Sequence, residues 1–208
     1  LHSLRRRQRQ MCIRDSKLAT KVAIIYNSSD TYSSGIYQTF ATEAKAKGLD
    51  VVAAEAFTAD NKTDFSVQIQ KAKDAGAELV FLPIYYQEAS LILAQANKAG
   101  FTPKWFGCDG MDGILDLDGF DASLAENLMF LTPFTANATD EATQKFVADY
   151  KEAFGDTPIQ FAADAYDCVY VIKAAAEKED VTPDKSVSDM CDALKKGMTE
   201  ITYDGLTG

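Results

Sequence analysis

The sequence predicts an α/β protein with a doubly wound parallel sheet, followed by helices that belong to an incomplete second lobe. Five short apolar segments recur at regular intervals, and each of the first three precedes an amphipathic stretch that ends at glycine. This alternation is typical of successive βα units, and nearly continuous apolar strands are typical of parallel sheets covered on both faces. The segments begin 29, 28, 26 and 23 residues apart, at Val22, Val51, Leu79, Trp105 and Leu128. We therefore predict an α/β domain over residues 17–132.

The elements of this domain can be placed in order along the chain. Each strand is an apolar run closed by turn-forming residues, as in KVAIIYNSS at 21–29. Each helix carries apolar residues three and four positions apart and ends at a glycine, as in SGIYQTFATEAKAKG at 34–48. The remaining strands are predicted at 50–57, 78–83, 103–108 and 127–134, and the remaining helices at 65–76 and 88–100.

Helices dominate the chain after Pro133. They are predicted at 140–155, 159–179 and 184–197, the last with Asp184 as its N-cap and Gly197 as its end. Only EITYDG, at 200–205, has the pattern of a strand.

The middle helix, 159–179, is apolar on nearly all sides, and helices of this kind are normally buried. Residues 133–208 offer almost no sheet that such a helix could cover. We therefore interpret residues 133–208 as a crossover and helices of a second lobe whose strands lie upstream of this chain. A single domain with a helical cap is the alternative.

The first 16 residues differ in composition from the rest of the chain. They contain every arginine and the only histidine, and they lack the apolar core of about 7–15 residues that a signal peptide needs. The stretch RRRQRQMCIRDS resembles translated adapter sequence, so we interpret residues 1–16 as a non-native, disordered leader. A basic arm that binds nucleic acid is the alternative interpretation.

Charge and composition argue against several partners and cofactors. The chain has 21 basic and 31 acidic residues, a net charge of −10, and so acidic a protein repels nucleic acid. No apolar run approaches the ~20 residues that span a membrane. The four cysteines form no CxxC pair, and residues 17–208 contain no histidine, so we predict neither a metal site nor a cofactor.

The familiar catalytic and nucleotide-binding motifs are missing as well. The loop after the first strand has Gly35 as its only glycine, so it is neither a GxGxxG motif nor a Walker phosphate loop. Serine and cysteine nucleophiles usually need a histidine base, which residues 17–208 lack. We therefore predict that the chain is not an enzyme.

The topology points to three loops as the place of a ligand site. Open parallel sheets bind ligands beyond the carboxyl ends of their strands, where the strand order reverses. With the order 2-1-3-4-5, the loops after the first, third and fourth strands meet there, while the loop after the second strand is remote. These three loops carry Tyr32, Tyr85 and Asp109.

One carboxylate and two phenols suit a small cation. An ammonium group donates three hydrogen bonds and needs a counter-charge, which Asp109 would supply, and the rings of Tyr32 and Tyr85 would add cation–π attraction. Tyr86 is a further candidate, although one of the two adjacent tyrosines is expected to point into the protein. The alternatives are that Asp109 serves only as a turn former and that the tyrosines serve only in packing.

Several ordered motifs resemble those of the branched-chain amino-acid type of periplasmic substrate-binding protein. They are VAIIYNSSDTYSSG, the segment from FTADNKTDF to ANKAG, WFGCDGMDG and FAADAYDCVYVIKAAAE, and together they cover nearly all of 19–208. In that family an acid after the fourth strand and tyrosines after the first and third strands hold the ammonium of the ligand. The resemblance assigns these roles to Asp109, Tyr32 and Tyr85.

The sequence departs from the family pattern in two ways. Asp109 stands where glutamate is more usual, so the carboxylate reaches one methylene less far. Ser33 and Ser34 stand where a glycine usually follows the tyrosine, and Ser33 is therefore a further candidate for ligand contact.

The resemblance implies a solute-binding protein that closes two lobes on an amino acid and delivers it to the permease of an ABC importer. It implies a location in the periplasm or on the extracellular face of the membrane, free or lipid-anchored. A cytoplasmic ligand-sensing regulator of the same fold and a flavodoxin-like or Rossmann-like enzyme are the alternatives.

Overall fold

The computed structural model of the protein describes residues 18–208, so the leader predicted at 1–16 lies outside the described residues. The described residues divide into two compact units, 18–131 and Thr132–Gly208. The first unit contains the sheet, and the second unit is helical.

The first unit is a five-stranded parallel sheet with helices on both faces. Its elements are β1 (Lys21–Asn27), α1 (Thr31–Ala46), β2 (Asp50–Phe57), α2 (Ser66–Asp74), β3 (Leu79–Leu82), α3 (Tyr86–Lys98), β4 (Lys104–Gly107) and β5 (Leu128–Phe130). The strands lie in the order β2-β1-β3-β4-β5, and every neighbouring pair is parallel. The predicted doubly wound α/β fold is therefore confirmed, with the reversal of strand order between β1 and β3.

Alternate residues of the central strands enter two separate cores, because successive side chains of a strand point to opposite faces. Ile25 and Leu82 pack in the core under α2 and α3. Ile24 and Phe81 pack on the other face with Phe40 of α1. These two layers hold the carboxyl ends of β1, β3 and β4 at one edge of the sheet.

Some element boundaries in the first unit differ from the prediction. Helix α1 begins at Thr31 rather than at 34, because the side chain of Asp30 accepts a backbone hydrogen bond and caps it. Helix α3 begins at Tyr86 rather than at 88. The fifth strand comprises only Leu128–Phe130, which is shorter than predicted.

The second unit consists of α4 (Glu141–Phe154), α5 (Gln160–Lys178) and α6 (Val187–Glu200). No strand is present among the described residues from Thr132 to Gly208. A small core joins α4 to the start of α5 and comprises Phe134, Phe146, Val147 and Ala163.

Three predictions for the end of the chain are wrong, and the first of them is that Gly197 ends α6. The segment 200–205 is not a strand, because α6 continues through Gly197 to Glu200 and the following residues form no ladder. The N-cap of α6 is Ser186 rather than Asp184, and its Oγ accepts a hydrogen bond from the N–H of Asp189 at 3.1 Å.

The expected burial of the helix at 159–179 is also not found within the described residues. Val169 of α5 is 64% exposed and Ile172 is 47% exposed. Large apolar side chains of α5 are therefore exposed to solvent in this helical unit.

Candidate functional site

Three side chains from separate loops meet at the carboxyl edge of the sheet. Tyr32 lies in the first turn of α1, Tyr85 directly precedes α3, and Asp109 begins the turn after β4. The hydroxyl of Tyr32 donates a hydrogen bond to Oδ1 of Asp109 at 2.7 Å. The rings of Tyr32 and Tyr85 stack with their centroids 5.1 Å apart and their planes at 28°. The structure thus brings together the three residues chosen from topology.

The cluster is open to solvent. Tyr85 is 38% exposed, and Tyr32 and Asp109 are half-buried. The ring of Tyr85 and the side chain of Asp109 are therefore at least partly accessible in this unit.

The turn after β4 fixes the position of Asp109. Residues Asp109–Met111 form a single 3-10 turn in which the N–H of Met111 donates to the carbonyl of Cys108 at 3.0 Å. The side chain of Met111 is fully buried and anchors the turn. The N–H of Gly110 donates to the Tyr32 hydroxyl at 3.1 Å, so this hydroxyl is both an acceptor from the turn and a donor to Asp109.

The surroundings of both phenols are negatively charged. Burial raises the pKa of Tyr32 well above its ordinary value, and the neighbouring Cys108 and Asp109 raise it further, while the N–H of Gly110 acts in the opposite direction. Burial also raises the pKa of Tyr85, with smaller contributions from Asp30, Asp109 and Glu88. Both hydroxyls therefore keep their protons at neutral pH.

This arrangement can bind a primary ammonium group. The carboxylate of Asp109 supplies the counter-charge and accepts charge-assisted hydrogen bonds. The exposed ring of Tyr85 presents a π face to a cation, a contact that contributes about 0.5–2 kcal/mol depending on how far it is desolvated. The bond from Tyr32 orients the carboxylate before any ligand arrives.

Ser33 lies outside this cluster. Its side chain is 1% exposed, and its hydroxyl oxygen accepts a hydrogen bond from the N–H of Asn27 at 2.8 Å. The hydroxyl therefore ties the end of β1 to the first turn of α1 and is not available to a ligand. The prediction that Ser33 contacts the ligand is corrected accordingly.

Tyr86 differs from Tyr85 in its packing. Its ring is partly buried and packs against the core under α2 and α3. Of the two adjacent tyrosines, Tyr85 is the more exposed one, and it stacks on Tyr32 at the edge of the sheet.

The loop after β2, predicted to be remote from the site, reaches the first turn of α3. Nζ of Lys62 lies 3.4 Å from Oε1 of Glu88, one helical turn beyond Tyr85. Glu88 is 8% exposed, and its Oε2 is buried without a hydrogen-bond partner. Gln95 of α3 holds the same loop through bonds to the N–H of Phe65 and the carbonyl of Thr63. The spacing of residues in the sequence does not predict this contact, because it depends on how α3 packs against the loop after β2.

Residues 18–208 have neither a group of side chains that could hold a metal ion nor a helix that could cross a membrane. In this part of the chain, no group of three or more histidine, cysteine, aspartate or glutamate side chains is arranged to hold a metal ion. None of the helices described there is long and apolar enough to cross a membrane.

Comparison with known proteins identifies the family of this chain. A family model described as periplasmic binding protein matches residues 12–208. The chain belongs to the periplasmic binding protein family. Among curated relatives, the Leu/Ile/Val-binding protein homolog 7 of Brucella abortus is 31% identical over 150 residues, 70% of this chain and 37% of the relative. The leucine-, isoleucine-, valine-, threonine- and alanine-binding protein of Pseudomonas aeruginosa is 27% identical over 76% of this chain and 42% of its own length.

Solved structures of this family share the fold of the chain. The branched-chain amino acid transporter substrate-binding protein LivJ of Streptococcus pneumoniae, in complex with isoleucine, matches with a TM-score of 0.77 at 28% identity. That match covers 95% of this chain and 54% of LivJ. The leucine-binding protein LivK of Thermotoga maritima matches with a TM-score of 0.77 at 23% identity, over 98% of this chain and 55% of its own, and shows the fold alone. The chain therefore matches about half the length of these solved structures and about two fifths of the length of the curated relatives.

Proposed function

We propose that this chain is part of an amino-acid-binding protein that serves an ABC importer, with the ammonium of the ligand bound by Asp109, Tyr32 and Tyr85. The observation that carries the proposal is the 2.7 Å hydrogen bond that orients Asp109, with the ring of Tyr85 stacked beside it at the open edge of the sheet. The family, and relatives named for binding leucine, isoleucine and valine, favour an amino acid as the ligand.

The rest of the ligand needs groups that this cluster does not supply. Asp109 and Glu88 carry negative charge, and the carboxylate of an amino acid would be repelled by them unless it lay farther away. We propose that the ligand carboxylate is bound by a second lobe, and that residues 133–208 contribute helices to it. Closure of two lobes about a hinge would then bring both halves of the site onto the zwitterion.

The remaining parts of the proposal follow from the family. Binding proteins of importers act outside the cytoplasmic membrane, so we place this protein in the periplasm or on the extracellular face, with a membrane permease as its partner. The role is binding and release, without catalysis.

The proposal is tested by the variant Asp109→Asn in the protein carrying both lobes. Loss of the counter-charge is expected to weaken the binding of leucine, isoleucine or valine, whichever the wild-type protein binds, by about 10- to 100-fold, because a charge-assisted hydrogen bond contributes roughly 1.5–3 kcal/mol. Isothermal titration calorimetry measures this change, and circular dichroism checks that the variant is folded.

Asp116→Asn is the matched control, because Asp116 is an exposed acid on the next turn and the substitution changes the net charge equally. It is expected to bind like the wild type. The des-amino analogue of the ligand should bind no more weakly to Asp109→Asn than to the wild type. Equal affinity of wild type and Asp109→Asn for the amino acid would overturn the assignment of Asp109.

A further inference from the structure

A small cavity lies at the edge of the first unit opposite to Asp109. It encloses about 200 Å³ between the end of α3, the start of β4 and the 3-10 turn at Ala122–Ala125. Trp105 lines this cavity near the amino end of β4, whereas Asp109 follows the carboxyl end of the same strand. Four residues of extended chain span roughly 13 Å, so the cavity is separate from the candidate site for an ammonium group.

The wall of this cavity combines buried apolar side chains with exposed polar ones. Leu93, Phe101 and Trp105 line it and are all buried. The rings of Phe101 and Trp105 meet edge to face, with their centroids 6.3 Å apart and their planes at 74°. The exposed polar residues of the wall are Asn97, Thr102, Asp121, Ser123 and Asn127. Apolar walls with a small number of polar groups are the usual composition of a small-molecule site.

The indole N–H of Trp105 has no acceptor among residues 18–208, although only 5% of this residue is exposed. The N–H of a buried tryptophan usually has a hydrogen-bond partner. Within the same residues, Oε2 of Glu88 is the only side-chain nitrogen or oxygen that is both sealed from solvent and without a partner. Nε1 of Trp105 must therefore touch accessible space, which for this residue is the cavity. An oxygen atom of a ligand would supply the missing acceptor.

Asp121 provides an acceptor of fixed position at the same cavity. Its Oδ1 accepts hydrogen bonds from the hydroxyl of Ser123 at 2.7 Å and from the N–H of Ser123 at 3.0 Å. These two bonds hold the pKa of Asp121 below its ordinary value, so the carboxylate is ionised at neutral pH. Its Oδ2 accepts no hydrogen bond from residues 18–208 and can accept one from a ligand.

We propose that this cavity binds a small neutral polyol, such as a monosaccharide or a cyclitol. Trp105 needs an acceptor and Asp121 needs a donor, and a hydroxyl group is both. An ammonium group has donors alone and a carboxylate has acceptors alone, and the charge of Asp121 repels an anion. The C–H groups of a sugar ring would pack against Leu93 and Phe101. Since a cavity of about 150 Å³ can hold benzene, this one is large enough for a six-membered ring that carries hydroxyl groups.

The test is direct because Trp105 is the only tryptophan of the chain. A nitrogen–proton correlation spectrum of the 208-residue chain contains one indole N–H resonance, which reports on the cavity. D-glucose, D-galactose and myo-inositol are added in separate titrations. At least one of them should shift the resonance in a saturable way, with half-saturation below about 10 mM, as expected for a ligand of about 12 non-hydrogen atoms. Ethylene glycol at the same concentrations should produce no saturable shift.

A matched pair of variants then tests the carboxylate. Asp121→Asn keeps an oxygen that can accept the bonds from Ser123 but removes the charge, and it should weaken polyol binding by about tenfold because a neutral acceptor forms a weaker bond. Asp118→Asn is the control, since Asp118 is an exposed acid of the same segment that does not line the cavity. It should bind the polyol like the wild type. The remaining resonances of each spectrum show whether the variant is folded.

Three outcomes would overturn the inference. The first is the absence of a saturable indole shift with all three polyols. The second is equal half-saturation in the wild type and in Asp121→Asn. The third is a saturable shift with sodium acetate or with ethylamine hydrochloride but with no polyol, which would identify a charged ligand. The inference does not depend on the proposed amino-acid binding, because Asp109 contributes nothing to this cavity.

Discussion

Gly110 determines how closely the turn after β4 can approach the two tyrosines. A Cβ atom at this position would lie 2.7 Å from the carbonyl oxygen of Ile84, 3.1 Å from the hydroxyl oxygen of Tyr32 and 3.3 Å from Cδ1 of Tyr85. The first of these contacts is with backbone, which cannot swing aside like a flexible side chain. Any side chain at position 110 must therefore displace the turn, and Asp109 with it.

We expect Gly110→Ala to lower the free energy of unfolding by roughly 1–3 kcal/mol, because it overpacks a well-filled junction. The same variant should weaken ligand binding, since the displaced Asp109 loses the orienting bond from Tyr32. Urea denaturation followed by circular dichroism measures the first effect, and calorimetry with the amino acid measures the second.

Gly35 offers a control of opposite sign. It lies inside α1, and an added Cβ would meet no atom within 4 Å. Gly35→Ala should therefore raise the free energy of unfolding by about 0.5–1 kcal/mol through helix propensity. A neutral or stabilising effect of Gly110→Ala would contradict this prediction, because it would show that the close approach of the turn to Ile84 does not destabilise a side chain at position 110.

The sequence was sufficient to select Tyr32, Tyr85 and Asp109, because the carboxyl ends of parallel strands share one edge of the sheet and the strand order could be anticipated. The sequence was not sufficient to predict the contacts of Ser33 or the need for glycine at position 110. Whether a serine next to Tyr32 faces a ligand or the end of β1 depends on where the helix begins, and the need for glycine depends on a distance between segments more than 20 residues apart.

At the scale of single elements, Asp167 of α5 organises the segment after α6. Its carboxylate is 7% exposed and accepts hydrogen bonds from the N–H groups of Leu206 and Thr207, at 3.0 and 2.8 Å, and from the hydroxyl of Thr207. A Cβ atom at Gly205 would lie 2.5 Å from Oδ2 of Asp167, so the backbone itself packs against the carboxylate. The carboxylate of Asp167 therefore accepts the backbone hydrogen bonds that a neighbouring strand would otherwise accept.

Removal of this carboxylate should release the segment while leaving the helices intact. Asp167→Ala leaves the two N–H groups without their acceptor, and we expect the amides of Leu206 and Thr207 to exchange with solvent about tenfold faster or more. Hydrogen exchange read by NMR resolves the two residues. Asp164→Ala, one turn earlier on α5, is the matched control and should leave their exchange unchanged. Equal protection in Asp167→Ala and the wild type would show that other contacts hold the segment.

This segment also illustrates what local pattern can predict. The runs that became β1 to β4 are apolar and lie between glycine-closed helices, so their strand character is fixed by composition. EITYDG alternates like a strand, yet no neighbouring strand among the described residues pairs with it, and α6 extends into its first residue. Gly197 was expected to end α6, but it lies within the helix because the missing side chain allows the close contact with Ala175. For EITYDG and for Gly197 alike, the local structure depends on the presence or absence of contacts with distant parts of the chain, which a local pattern does not show.

At the scale of the whole molecule, the tyrosines determine how the free energy of unfolding changes in alkaline solution. Several phenols have a pKa above the ordinary value in the folded state, chiefly through burial, and Tyr166 is raised to about 12 chiefly by its hydrogen bond with Tyr170. The tyrosines with raised pKa values are Tyr26, Tyr32, Tyr85, Tyr166 and Tyr203. Each of these tyrosines contributes its full stabilisation only at a pH at which the same phenol is also protonated in the unfolded chain.

We therefore expect the free energy of unfolding to be independent of these groups below about pH 9 and to fall as the pH rises above about 10. In that range the unfolded chain releases phenolic protons at the ordinary pKa of about 10, while the folded state retains them, so the unfolded state is favoured. The slope is steepest for the most buried of these phenols, Tyr32, and smaller for the exposed ones, because solvent screens their interactions. Urea denaturation at intervals between pH 8 and pH 11 measures the slope.

Tyr32→Phe assigns part of that slope to the candidate site. Tyr32 is half-buried and bonded to Asp109, so its phenol should be among the last to ionise in the folded state. The variant should be less stable than the wild type at pH 8, because the N–H of Gly110 loses its acceptor. Above pH 10, however, its stability should fall less steeply, which loss of packing alone would not produce. An unchanged slope in Tyr32→Phe would mean that this phenol ionises at its ordinary pKa, and that Asp109 is not held by it in the way the 2.7 Å bond implies.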